Sequence, residues 1–359
     1  MLIITAQLVA GLVLLVFGAE WLVRGAARLA SSFGVAPLIV GLTVVAFGTS
    51  APELAVSVQA AYSGSADIAL GNVVGSNICN VLLILGLAAI VAPLVVHRQL
   101  VILDVPLMIG ISVLVLVLGL DGRIGRGDGV LLFVGLIGYV SFLLIKSRRS
   151  GGEVPEELKD AIGEEGAKPA PVWKDLLLIV LGLAALVGGS NLFVSGAVTI
   201  ATLLGWSELV IGLTVIAVGT SLPEIATSVM AVIRGQRDIA VGNAVGSNIF
   251  NLLSVLGIAS IVAPDGISVP ADAINFDLPV MIAVAVACLP IFFSGHRIDR
   301  WEGGLFFAYY VIYTAYLILR STQHELLGAF STTLAWLVLP LTAVTLLAIG
   351  LNAWRVQRR

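Results

Sequence analysis

Two short segments of this chain place a glycine, two hydroxyl residues, a proline and a glutamate inside otherwise apolar sequence. They are GTSAPE at residues 48–53 and GTSLPE at residues 219–224. On a helix, Thr49, Ser50 and Glu53 share one face, because they are three or four residues apart. The same arrangement recurs at Thr220, Ser221 and Glu224. Hydroxyl and carboxylate oxygens grouped in this way are ligands for hard cations.

A second repeated motif adds amide oxygens. It reads GNVVGSNICN at residues 71–80 and GNAVGSNIFN at residues 242–251. Ser76 and Asn80 are four residues apart, so they lie on one helix face. Their counterparts are Ser247 and Asn251. The glycines, four residues apart, are typical of helices that pack closely in membranes.

The prolines in the first motif predict interrupted helices. Proline lacks an N–H and clashes with the carbonyl four residues earlier, so Pro52 and Pro223 should disrupt their helices at Gly48 and Gly219. In a membrane, irregular backbone is tolerated only where it is buried or lines a cavity. A bound cation is one partner for the carbonyls released there.

A purely structural explanation competes with cation binding. Ser and Thr can bond to their own helices, and Asn can join neighbouring helices. For Glu53 and Glu224 this explanation requires a basic partner, yet neither repeated segment contains Lys, Arg or His near them. An ionised side chain at bilayer depth costs about 2.5–3.5 kcal/mol on insertion scales. The oxygen-only ligand set, without His or Cys, favours Ca²⁺ or Na⁺ over zinc or copper.

Other repeated or paired charges are interpreted structurally. Glu20 and Arg24 can pair along one helix. Four aspartates sit at predicted helix starts, where a carboxylate caps the helix and complements its dipole. They are Asp67, Asp104, Asp238 and Asp277.

Composition places all these residues in a polytopic membrane protein surrounded by lipid. Of 359 residues, 59% are hydrophobic and only 11% charged, and the mean hydropathy is +1.08; a soluble domain is about 25% charged. The net charge of −3 and the absence of a basic patch argue against nucleic acid binding. Eleven spans are predicted, at 3–30, 35–62, 67–92, 99–119, 127–145, 175–203, 207–233, 238–263, 273–293, 302–320 and 331–352.

The distribution of basic residues predicts an orientation. With the N-terminus outside, only Arg123, Arg126 and Arg320 of the 19 Lys and Arg residues fall outside, which leaves 16 inside. Since cytoplasmic loops collect Lys and Arg, we expect the N-terminus outside and the C-terminus in the cytoplasm of a cell-membrane protein.

The chain is internally duplicated. Residues 41–93 align with 212–264 without a gap, with about two-thirds of the positions identical, and DVP at 104–106 faces DLP at 277–279. GRIGRGDG faces GHRIDRWEG farther along. Each copy holds five predicted helices; because five is odd, the second copy enters the membrane from the opposite side, as in many secondary transporters. The predicted segments are 1–145 and 175–320 as repeats, 146–174 as a cytoplasmic linker, and 321–359 as an extra peripheral helix and tail.

The paired motifs resemble those of the calcium/cation antiporter superfamily, which includes the sodium/calcium exchangers. The resemblance covers about residues 1–320 and implies ten core helices in two inverted five-helix repeats, with ions bound at their centre. It implies that Glu53 and Glu224 hold Ca²⁺ and that the other oxygens complete the Ca²⁺ and flanking Na⁺ sites. Those other residues are Thr49, Thr220, Ser50, Ser221, Ser76, Ser247, Asn80 and Asn251, with backbone carbonyls from Ala46 and Ala217. In structurally known archaeal exchangers the position of Asn251 is an aspartate, which leaves the stoichiometry and the coupling ion open.

These observations together predict a secondary active antiporter that exchanges Ca²⁺ for Na⁺ by alternating access. Exchange for H⁺, or a requirement for K⁺, stays open, as does the oligomeric state. A cation channel would not need an inverted repeat with a shared central site. An intramembrane enzyme is disfavoured, because the sequence shows no repeated Ser/His or Asp/Asp pair, zinc motif or cofactor fingerprint. The expected partners are therefore metal-ion substrates and membrane lipid, without a resident cofactor.

Overall fold

The long apolar runs fold as helices, because in lipid only intrasegment hydrogen bonds satisfy every backbone N–H and C=O group. A computed structural model describes residues 2–64, 66–149, 171–205, 215, 217–293, 295–338, 340–342 and 344–345. Its helices are α1 (Leu2–Phe33), α2 (Pro37–Thr49), α3 (Ala51–Tyr62), α4 (Ala66–Val91), α5 (Leu100–Asp121), α6 (Arg126–Arg149), α7 (Val172–Leu203), α8 (Ala217–Thr220), α9 (Leu222–Ile233), α10 (Arg237–Val262), α11 (Ala273–Phe293), α12 (Arg300–Ser321) and α13 (Leu327–Val338).

Most of the predicted spans correspond to helices in the structure. Among the described residues, eight helices are long and apolar enough to cross a membrane, and the bent pair α2 and α3 makes a ninth. The predicted span 207–233 is described only at residue 215 and from residue 217 onward. Residues 150–170 of the predicted linker lie outside the described residues, although α6 continues through Arg149.

Two short strand pairs show that the repeats are inverted. The strands are β1 (Leu94–Val95), β2 (Arg123–Ile124), β3 (Ile267–Ser268) and β4 (Arg297–Ile298). Strand β1 pairs with β4, and β2 pairs with β3, both antiparallel. Helix α5 crosses the bundle between β1 and β2, so these two strands lie on opposite faces. Strand β3, the counterpart of β1 in the second repeat, therefore lies on the face opposite to β1.

Helices α4 and α10, which carry the repeated Asn motifs, form the centre of the bundle. In each of them 83% of the most apolar stretch is buried, against 22% in α1 and 17% in α12. Glycines bring the outer helices close to this centre. A Cβ on Gly303 of α12 would lie 2.8 Å from the carbonyl oxygen of Gly86 in α4. A Cβ on Gly129 of α6 would lie 2.6 Å from that of Gly257 in α10.

Helices α1 and α7 pack against each other as a long antiparallel pair. A Cβ on Gly18 would lie 2.8 Å from the Gly182 carbonyl oxygen, and one on Gly182 would lie 2.7 Å from the Leu22 nitrogen. The predicted pairing of Glu20 with Arg24 is confirmed at 2.6 Å, and Glu20 also contacts Arg234 beyond the end of α9 at 2.6 Å.

The described part of the extra C-terminal helix lies at the periphery, as predicted. Helix α13 follows α12, and the Tyr309 hydroxyl of α12 hydrogen-bonds the Thr342 hydroxyl. Large side chains such as Trp336 are exposed on its outer side, which suits contact with lipid.

The close contact between α4 and α12 yields a test of the fold. Gly303→Ala should lower the thermal unfolding midpoint of the purified protein in detergent, because the added methyl meets Gly86 and Ala89, and such overpacking costs about 1–3 kcal/mol. Gly304→Ala is the matched control, because no described atom lies within 4 Å of a Cβ there. Equal midpoints for the two variants would contradict this packing.

Candidate cation site

The two motif helices are interrupted, but two residues later than the sequence predicted. The first break is at Ser50, where α2 and α3 meet at 44°. The second is at Ser221, between α8 and α9. The prediction of breaks at Gly48 and Gly219 is therefore wrong. Each proline occupies the first turn of the following helix, where its missing N–H is tolerated.

The backbone near the second break is already satisfied in part by the protein. The hydroxyl of Ser190 in α7 donates to the Gly219 carbonyl at 2.6 Å. The 171-residue offset between the repeats continues upstream, where LVFGAEWLVRGA at 15–26 faces LVGGSNLFVSGA at 186–197, and it places Ala19, which has no hydroxyl, opposite Ser190. For Gly219, the carbonyl partner is thus a serine and no cation is required.

The two glutamates are buried without basic partners. Glu53 and Glu224 are each 1% exposed. Within the described residues, neither carboxylate oxygen of Glu53 has a hydrogen-bond partner, and Oε2 of Glu224 also lacks one. The Ser50 hydroxyl, from the first repeat, donates to Oε1 of Glu224 at 3.5 Å. The carboxylates are close enough for their charges to interact. Carboxylates so placed need a cation or a proton.

Several neighbouring polar atoms also lack a partner among the described residues. They are Ser221 Oγ, Ser247 Oγ, Asn80 Oδ1 and both side-chain polar atoms of Asn251. Asn80 donates through Nδ2 to Asn248 Oδ1 at 2.9 Å, which joins α4 to α10 and leaves the Asn80 oxygen available. Ser76 is also buried. Asn80 and Asn251 each begin a widened π-helical turn, a feature frequent at functional sites.

The remaining predicted ligands differ in whether the protein itself already contacts their oxygen atoms. Thr49 Oγ1 lies 3.1 Å from both the Val45 carbonyl oxygen and Asn243 Oδ1. The Ala46 carbonyl accepts the Ser50 N–H at 3.0 Å. In the second repeat the Ser221 N–H donates to Val218 instead of Ala217. Thr220 lies on the wall of a cavity.

Two asparagines that the sequence analysis treated only as motif positions support the glutamates. Asn72 donates to the Glu53 carbonyl at 3.2 Å and to Ser57 Oγ at 2.9 Å. Asn243 donates to the Glu224 carbonyl at 3.4 Å and to Ser228 Oγ at 3.0 Å. The sequence does contain a signal for these contacts. In both repeats an asparagine follows the first glycine of the G-N-x-x-G-S-N motif, and a serine lies four residues after the glutamate.

A cavity of about 520 Å³ reaches the site from one face of the structure. Its wall includes Ser76 and Thr220 as well as Pro270, which follows β3, so it lies toward the face that carries β2 and β3. Gly71 and Gly75 also line it, and no described atom of another helix lies within 4 Å of a Cβ placed on either glycine. Their counterparts in α10, Gly242 and Gly246, are covered by α2, and a Cβ on Gly246 would lie 2.8 Å from Leu42 Cα.

Comparisons with known proteins agree on one family. A family model described as sodium/calcium exchanger protein matches residues 3–145 and 174–319. The sodium/calcium exchanger MaX1 of Methanosarcina acetivorans is 34% identical over 341 residues, which cover 86% of this chain and 97% of that protein. The inner membrane protein YrbG of Escherichia coli is 39% identical over 294 residues, covering 80% of this chain and 89% of YrbG.

Solved structures show the same arrangement of helices. The sodium-calcium exchanger NCX_Mj, soaked with 2.5 mM Na⁺ and 0.1 mM Ca²⁺, matches with a TM-score of 0.74 and 33% identity. The match covers 87% of this chain and 97% of that one.

The buried Glu53 carboxylate predicts an unusual stability profile. Glu53→Gln should leave the thermal unfolding midpoint in cation-free buffer unchanged or raise it, because it removes a buried charge that has no partner among the described residues. In the wild type, Ca²⁺ at 100 times its Kd should raise the free energy of unfolding by about 2.7 kcal/mol and thereby raise the midpoint. Glu53→Gln should lose this rise.

Glu20→Gln is the control for this measurement, because Glu20 has two arginine partners. It should lower the midpoint and keep the response to Ca²⁺. If Glu53→Gln lowers the midpoint in cation-free buffer and keeps the Ca²⁺ response, Glu53 is a structural residue.

Proposed function

This chain belongs to the sodium/calcium exchanger family, and from that premise we propose that it exchanges Ca²⁺ for Na⁺ across the cell membrane. Membership makes it an integral membrane cation antiporter. The proposal adds the coupling ion, the ligands and the route. The observation that carries it is the pair of buried carboxylates, Glu53 and Glu224, one from each inverted repeat and neither paired with a basic residue in the described structure.

Ca²⁺ binds between these carboxylates. The ion prefers six to eight oxygen ligands, and the unpartnered oxygens of Ser221, Ser247, Asn80 and Asn251 supply candidates around the two glutamates. Ser50, Ser76, Thr49, Thr220 and the carbonyls of Ala46 and Ala217 complete the proposed set. Serine and threonine hydroxyls can rotate away from their present partners, so modest movements bring them to the ion.

Na⁺ competes for the same oxygens, and this competition couples the two fluxes. Two carboxylates neutralise one Ca²⁺, whereas three Na⁺ leave one excess positive charge. Moving that charge across the membrane is worth about 2.3 kcal/mol per 100 mV. Asn251 contributes an amide, so the described site holds two carboxylates rather than three.

Alternating access follows from the difference between the two faces. The site is reached from the face of β2 and β3, while α2 packs on Gly246 of α10 and closes the route from the other face. Helices α1 and α7, joined through their own glycines, slide as a unit across the central helices to change the open face. With the N-terminus outside, the cavity described here faces the cell exterior and the linker 146–174 lies in the cytoplasm.

Exchange for H⁺ is the second candidate. Glu53 and Glu224 are close to each other and buried, so two protons could replace Ca²⁺ and leave the site neutral. The two candidates differ in the gradient that drives Ca²⁺ movement.

Reconstituted transport separates these candidates. Purified protein in liposomes loaded with Na⁺ should accumulate ⁴⁵Ca²⁺ when external Na⁺ is replaced by choline at equal pH on both sides. A pH gradient without Na⁺ should give no accumulation, and added K⁺ should not be required. Accumulation driven by the pH gradient alone would instead support Ca²⁺/H⁺ exchange, and dissipation of both gradients without coupling would indicate a channel.

Substitution of the central carboxylates tests the site in the same vesicles. Glu53→Ala and Glu224→Ala should each abolish Na⁺-driven Ca²⁺ uptake, because one carboxylate cannot balance a divalent ion in a buried site. Glu325→Gln, an exposed position beyond α12, should transport like the wild type. Normal uptake by either alanine variant would refute the proposed site.

A further inference from the structure

One acidic side chain outside the central site lies on the wall of the cavity. Asp277 ends the π-helical turn Ala273–Asp277 at the start of α11, and it lines the cavity together with Tyr313 and Thr314 of α12. The same cavity reaches Ser76 and Thr220. Within the described residues, no side chain donates a hydrogen bond to Asp277, and no basic group lies within 4 Å of its carboxylate.

The equivalent aspartate of the first repeat has a different environment. Asp104 is fully buried and accepts hydrogen bonds from the Tyr139 hydroxyl and from Gln99 Nε2, each at 3.1 Å. No side-chain helix cap forms there, so the predicted capping role of Asp104 is wrong. Asp104 is instead a structural acceptor whose oxygens are held by neighbouring side chains.

The repeat alignment explains why Asp277 is left without donors. It places Asp272 opposite Gln99 and Tyr313 opposite Tyr139. Where the first repeat has the hydrogen-bond donor Gln99, the second repeat has the carboxylate of Asp272, which is an acceptor. Asp272 pairs with Arg320 at 2.8 Å. Tyr313 lies near enough to Asp277 for an electrostatic interaction, but no hydrogen bond joins the two in the part of the chain that the structure describes.

Two ordinary explanations for Asp277 are weaker than recruitment of a cation. A helix-capping role would require its carboxylate to accept a backbone N–H, and no described backbone N–H donates to it. Neutralisation by Arg320 is incomplete, because that guanidinium pairs with Asp272 and lies over the Phe276 ring at 5.4 Å from its centroid. Asp272 and Arg320 lie outside the cavity lining, and together with Asp277 these three residues carry a net negative charge beside the cavity.

We infer that Asp277 captures a hydrated Ca²⁺ or Na⁺ in the cavity before the ion passes to the central site. This inference rests on the proposed function. The carboxylate supplies one direct ligand, Tyr313 and Thr314 line the same cavity, and water supplies the remainder. A cavity of about 520 Å³ holds an ion with its hydration shell, since one water occupies about 30 Å³. A single carboxylate binds weakly, which suits an ion that must move on.

The test is the dependence of Na⁺-driven Ca²⁺ uptake on the Ca²⁺ concentration applied at the face of β2 and β3. Asp277→Asn should raise the half-saturating Ca²⁺ concentration by about threefold or more, because a negative charge in a cleft concentrates cations and speeds their association. The maximal rate should stay within about twofold of the wild type, because the central ligands Glu53 and Glu224 are unchanged and the removed charge acts on cation association. With Ca²⁺ applied at the opposite face, the half-saturating concentration should not change.

Asp265→Asn is the matched control. It removes the same charge from the same face, next to β3 but outside the cavity wall, and it should leave the half-saturating concentration unchanged. Thr314→Lys is the second variant, which adds a positive charge to the cavity wall. It should raise the half-saturating concentration in the same sidedness-dependent way.

The outcomes separate this inference from the proposed function. Absence of Na⁺-driven Ca²⁺ uptake by the wild type would overturn the proposed function itself. Wild-type transport with an unchanged half-saturating concentration in Asp277→Asn and Thr314→Lys would overturn the role of Asp277 alone. If Asp277→Asn lowers the maximal rate equally with Ca²⁺ applied at either face, Asp277 has a structural role and the inference is overturned.

Discussion

The structure depends on the burial of two carboxylates in a region that lipid surrounds and that offers no basic partner in the described residues. Taking an ionised carboxylate out of water costs several kcal/mol unless an opposite charge or hydrogen bonds compensate. Within the described residues, Glu224 accepts a hydrogen bond from Ser50, while both carboxylate oxygens of Glu53 lack a hydrogen-bond partner. The duplicated, inverted chain brings the two carboxylates together from opposite directions. The same duplication places Asn72 and Asn243 where they hold the backbone of each glutamate.

Nearly identical motifs nevertheless occupy two different environments. The Asn243 side chain is buried and contacts Thr49 across the repeat boundary, while Asn72 lies on the cavity wall. Gly246 is covered by α2, whereas Gly75 is open. A symmetric sequence in an asymmetric structure has a second arrangement available at similar energy, with the roles of the repeats exchanged. A transporter that opens to one face at a time requires such a pair of arrangements.

The sequence predicted the helices and the inversion well, because length, hydropathy and repeat spacing are each set by local physics, whereas the ligand roles of the motif residues stay a prediction. The positions of the breaks were missed by two residues, since proline is accommodated in the first turn of a helix and the bend moved to Ser50 and Ser221. Asn80 begins a π-helical turn in α4 and hydrogen-bonds Asn248 of α10, and a contact between helices so distant in sequence is not encoded in a single segment. The contact of Ser190 with the Gly219 carbonyl, and the different surroundings of Asp104 and Asp277, likewise depend on helices distant in sequence.

The most direct test of the central claim is the position of Ca²⁺ in crystals of the protein grown with Ca²⁺ and without Na⁺, located by anomalous scattering. The account predicts one strong peak at about 2.3–2.6 Å from carboxylate oxygens of both Glu53 and Glu224. A peak bound by oxygens of one repeat alone, or no peak while both carboxylates contact basic side chains, would contradict it.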